Sequence, residues 1–118
     1  MKDIKVQASV DTYICINGEY KRSSQPWIFH HNRALCFGDI LYENMHAYAT
    51  EPQFFEYHFK RLISHMHLLS MEVPVSFTRE TLGALISQLL NKNRIFGGAV
   101  IRLSVFRNTG TDPGWDGK

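Results

Sequence analysis

The spacing of apolar residues changes at Pro52, and that change limits the folds open to this chain. Before it, in residues 40–48 (ILYENMHAY), Leu41, Glu43, Met45 and Ala47 alternate with Tyr42, Asn44, His46 and Tyr48. A two-residue repeat sends alternate side chains to opposite faces, so this segment predicts a strand ending at a turn over Thr50, Glu51 and Pro52. After Pro52, Phe55, Phe59, Leu62, Ile63, Met66 and Leu69 recur at the spacing that gathers side chains on one side of an α-helix, over residues 55–70. Val73-Pro74-Val75 ends that helix. Thr78 is placed to cap a second one, which carries Leu82, Leu85, Ile86 and Leu89 inward as far as Asn91-Lys92-Asn93.

Gly97-Gly98 then turns the chain into AVIRLSVFR, with Ile101, Leu103 and Val105 on one face of a last strand. Upstream, Asn17-Gly18 separates residues 12–16 (TYICI) from residues 19–22 (EYKR). Two-residue hairpin turns need positive φ at their centre, which Asn and Gly tolerate, so a β-hairpin is expected. Residues 23–37 follow neither period and read as an ordered loop pinned by aromatics, Trp27 and Phe29 among them. The order β-β-β-α-α-β defines an α+β fold in which two helices cover one side of a mostly antiparallel sheet.

Composition supports one folded unit and narrows its partners. The 118 residues are 44% apolar and 20% charged, and eight Phe, five Tyr and two Trp supply core material that a disordered chain lacks. Thirteen basic and eleven acidic residues are scattered, for a net charge of +2, so neither nucleic acid nor an anionic membrane is implied. No run approaches the roughly 18 apolar residues of a membrane span, and residues 1–10 (MKDIKVQASV) lack the apolar centre of a signal peptide. A cytoplasmic address follows by default. Cys15 and Cys36 lie far apart in apolar contexts and read as reduced core residues. Residues 1–107 form the expected domain. Residues 108–118 (NTGTDPGWDGK), with three Gly and one Pro, have the composition of a tail or a truncated interdomain linker, which suggests that further polypeptide follows.

Candidate chemistry gathers at the ends of the apolar elements. The Gly38-Asp39 turn, Tyr42 and Glu43 read as inward-facing, and Arg61 on the first helix together outline a ligand pocket. Arg61 has two readings, a surface ion-pair partner or an anion clamp, since its planar fork makes two parallel hydrogen bonds to a phosphate or carboxylate. Arg107 shares parity with Ile101, Leu103 and Val105, where an unpaired charge is costly; a carboxylate ligand or an internal Asp or Glu satisfies it equally. Arg102 points the other way, to solvent. His58 and His65 are seven apart, His65 and His67 two apart, and His30 and His31 adjacent, so none reproduces His-Glu-x-x-His and no metal site is expected. The phosphate-loop and dinucleotide-binding glycine patterns are also absent from the sequence.

Taken together, Asn17-Gly18, Phe37-Gly38-Asp39-x-x-Tyr42-Glu43, His58-x-x-Arg61-Leu62 and Val105-Phe106-Arg107 resemble the N-terminal domain of the class IV aminotransferases over roughly residues 12–110. These are the fold-type-IV pyridoxal-phosphate enzymes, which include branched-chain and D-amino-acid aminotransferases and aminodeoxychorismate lyase. The resemblance implies the D-amino-acid aminotransferase-like fold, pyridoxal 5′-phosphate as cofactor, an amino acid or aminodeoxychorismate as substrate, and a homodimer with active sites near the subunit interface. It places Arg61 on the cofactor phosphate, Tyr42 in the lining of the substrate pocket and Arg107 on the substrate carboxylate. Asn108 stands where the family usually has Gly after that arginine, and Ile40 where many members have a second Gly. Arg107 also favours the lyase or the D-amino-acid type over the branched-chain type.

The same resemblance puts the Schiff-base lysine in a second, downstream domain. Lys60 and Lys92 fall on helices and Lys118 ends the Gly-rich tail, so no catalytic residue is expected in this chain. It reads as the N-terminal part of a transaminase or lyase, inactive by itself; the alternative is a standalone, non-catalytic binding or dimerisation module.

Overall fold

The computed structural model describes residues 11–107 apart from Trp27 and Phe29. The expectations for residues 1–10, for those two aromatics and for the tail at 108–118 lie outside the described residues. The hairpin forms where Asn17-Gly18 predicts it. β1 (Tyr13–Ile16) and β2 (Glu19–Arg22) pair antiparallel, with Tyr13 opposite Arg22 and Ile16 opposite Glu19. Asn17 at φ 51 and Gly18 at φ 84 supply the two left-handed residues of the turn.

The expected loop at 23–37 contains a single helical turn, α1 (Arg33–Phe37). Asn32 caps it by accepting from the Ala34 amide, and Gly38 closes it at φ 64. Five residues are too few to show a helical period, so only the Asn and Gly flanks mark it. Phe37 is 74% exposed, with the Arg33 guanidinium 5.3 Å from its ring centroid.

β3 (Ile40–Tyr48) follows, and the chain reverses at Ala49 and Thr50, both at positive φ, into a two-residue strand, β4 (Glu51–Pro52), which pairs back on Ala47 and Tyr48. The reversal thus comes one residue earlier than the sequence suggests. Pro52 fits because it sits on an edge strand, where a missing N–H costs little. The two helices match their periods: α2 (Phe55–Leu68) and α3 (Arg79–Lys92), the latter capped by Thr78 accepting from the Thr81 amide. β5 (Gly98–Phe106) then returns along the whole of β3, from Ile40 opposite Phe106 to Tyr48 opposite Gly98.

The class is α+β, as expected, but the strands among the described residues form two sheets. One has the order β4-β3-β5 and the other is the hairpin alone. Met45 and Ala47 of β3 pack on Leu82, Ile86 and Leu90 of α3, while Leu62 and Met66 of α2 pack with Met71 against Leu41 and Val105. Each fully buried Leu or Met contributes roughly 1.5–3 kcal/mol relative to exposure. Leu90 takes the inward place expected of Leu85 and Leu89, which are half-buried instead. Both cysteines are free; Cys15 is half-buried, but Cys36 is exposed and so lies outside the core. The hairpin is held to α3 rather than to the other sheet. Asn93 accepts from the Tyr13 amide at 2.8 Å and donates to the Tyr13 carbonyl at 2.9 Å, and the Tyr20 hydroxyl lies 3.0 Å from the Leu85 carbonyl.

Candidate functional site

The inward row of β3 is apolar except at Glu43, which is only 4% exposed. An ionised carboxylate at such depth survives only with partners, and α2 supplies two. His58 and Arg61 are three apart and so share the helix face above β3. Arg61 Nε donates to Glu43 Oε2 at 2.9 Å and Arg61 Nη2 to Oε1 at 2.8 Å, a side-on bidentate pair. His58 Nδ1 lies 2.7 Å from the same Oε1. The hydrogen bonds from Arg61, reinforced by His58, hold the Glu43 carboxyl below its ordinary value despite burial, and the same pairing holds the Arg61 guanidinium above its own.

The pair is lopsided in exposure. The Arg61 side chain is 55% exposed while its carboxylate partner is sealed. Nη1 makes no hydrogen bond to any described residue, so the far edge of a fixed guanidinium faces solvent. That edge suits one face of a phosphate monoester. Arg61 therefore fits the phosphate of a pyridoxal cofactor, as one anchor among the several that such a group needs.

A second acid-centred cluster stands just before β3. Asp39 follows the Gly38 cap and receives Arg107 Nη1 on both oxygens, at 2.8 and 2.9 Å, and Arg33 Nε on Oδ2 at 2.9 Å. Arg107 Nη2 also donates to the Leu69 carbonyl at the end of α2. Hydrogen bonding to Arg33 first, then to Arg107, keeps the Asp39 carboxyl below its ordinary value. The sequence left a ligand and an internal acid equally open for Arg107. The structure supplies the internal acid, Asp39.

Tyr42 is not inward-facing beside Glu43. Neighbouring strand residues point to opposite faces, so with Glu43 inward the Tyr42 ring lies on the outer face of the sheet, 53% exposed. The Arg102 guanidinium stacks over it, 5.4 Å from the ring centroid. Of the three site residues read from the sequence, Arg61 sits in a built cluster, Arg107 closes a corner and Tyr42 occupies the opposite face. The sequence reading gave no role to Glu43 and His58 as the pair that orients Arg61. One acid in an otherwise apolar alternating row, with a His-x-x-Arg on the next helix, was the available signal. No group of three metal-ligating side chains occurs among the described residues, and no helix among them is long and apolar enough to cross a membrane.

No family model matches the sequence, and no curated protein matches it. Solved structures do. A branched-chain aminotransferase from Thermoproteus uzoniensis, solved with norvaline, superposes at a TM-score of 0.75 over 89% of this chain and 36% of its own, at 15% identity. The T.th. branched-chain amino acid aminotransferase, complexed with N-(5′-phosphopyridoxyl)-L-glutamate, matches at 0.71 over 82% of this chain and 33% of its own, at 25% identity. A Legionella pneumophila protein assigned as a 4-amino-4-deoxychorismate lyase matches at 0.60 over 80% and 34%, at 19% identity. The described part of the chain, a three-stranded antiparallel sheet under two helices, thus shares its fold with these enzymes. The chain has the class IV aminotransferase fold and spans about a third of the length of the structures it matches.

Proposed function

We propose that this chain is the N-terminal part of a pyridoxal-phosphate-dependent class IV aminotransferase or aminodeoxychorismate lyase, and that Arg61 is its contact to the cofactor phosphate. The observation that supports this reading is the guanidinium fixed side-on by buried Glu43, with its far edge open, within a fold shared with such enzymes. When bound, the cofactor supplies an electron sink for the substrate's carbanion. This chain supplies a preset cation: Glu43 and His58 hold the guanidinium plane, so little side-chain freedom is lost when an anion arrives.

Tyr42 and Arg107 stand in this reading as substrate contacts. Tyr42 is open to solvent as it is, whereas Arg107 meets a substrate carboxylate only by leaving Asp39. The lysine that bonds the cofactor lies downstream of Lys118, and residues 108–118 are the linker toward the domain that carries it. The reading includes an amino acid or aminodeoxychorismate as substrate, a cytoplasmic address and a homodimer.

The test is a calorimetric titration of the 118-residue chain with pyridoxine 5′-phosphate and with pyridoxine, neither of which has an aldehyde to label lysines. The phosphate ester should bind about tenfold tighter, matching one charge-assisted hydrogen bond of about 1.4 kcal/mol, and Arg61→Ala should abolish that preference. Equal affinity of the unaltered chain for the two compounds removes Arg61 from the phosphate site.

A further inference from the structure

We draw no further inference here: the strongest candidate, the outer face of the three-stranded sheet where the Arg102 guanidinium stacks over the exposed Tyr42 ring, belongs to the site already described through Tyr42.

Discussion

Two carboxylates four residues apart, Asp39 just before β3 and Glu43 within it, are each held by arginine, and they are built to opposite purposes. At Glu43 the acid is sealed at 4% exposed and its arginine is 55% exposed, so burial fixes the carboxylate and presents the cation outward. At Asp39 the acid is 15% and Arg107 17% exposed, so both partners are sheltered and the arginine spends its donors inside the protein, on Asp39 and on the Leu69 carbonyl. The first arrangement leaves binding capacity unused. The second consumes it, tying the end of α2 to the corner between α1 and β3. Each cluster sets one carboxylate against arginine; what differs is which partner faces water.

The largest break in that contrast should come from Glu43→Ala. It strands His58 and Arg61 over an apolar row, and a loss of about 3 kcal/mol in urea unfolding is expected, the lower end for breaking a buried pair because Arg61 is half in solvent. A loss below about 1 kcal/mol would show that burial at Glu43 does not set the geometry. Arg107→Ala should cost less, about 1–2 kcal/mol, since Asp39 keeps Arg33 and gains water in place of the lost fork. An Arg107→Ala chain as unstable as Glu43→Ala would remove the distinction between the two clusters.

Acid titration sharpens the same comparison at smaller amplitude. Both carboxyls are held below their ordinary values in the folded chain. Their contribution to stability is therefore complete above the unfolded values of 4.5 for Glu43 and 3.8 for Asp39, and is lost as pH falls through the lower folded values. Glu43→Gln should flatten the fall in urea midpoint that begins near pH 4.5 and leave the part that begins near 3.8. An unchanged profile in Glu43→Gln would mean that Glu43 titrates alike in the folded and unfolded chains.

Elements long enough to show a period were legible in the sequence. β3, α2, α3 and β5 each display an alternation or a helical stripe over nine or more residues, and Thr78 and Asn17-Gly18 mark boundaries by local chemistry. α1 and β4, at five and two residues, are too short to carry a pattern. The separation of the described strands into two sheets was not legible either, since the hairpin meets α3 through Asn93 and Tyr13, 80 residues apart. The site divides likewise. Arg61 follows from His-x-x-Arg spacing and resemblance, whereas the pairing of Asp39 with Arg107, 68 residues apart, belongs to the tertiary fold. Tyr42 is the instructive error: the alternation that places Glu43 inward already sends its neighbour outward.

The hairpin in front of β5 bears on solubility. Among the described residues β5 is the last strand of its sheet, and such a strand is a template on which other sheets can grow unless charge, proline or a covering element blunts it. Here the covering element is the hairpin, itself tacked down at Tyr13 by the Asn93 side chain, whose amide takes the part of a neighbouring peptide group. The hairpin's turn end lines the cleft beside β5 through Cys15, Asn17 and Gly18, so a foreign sheet approaching that strand meets the hairpin first.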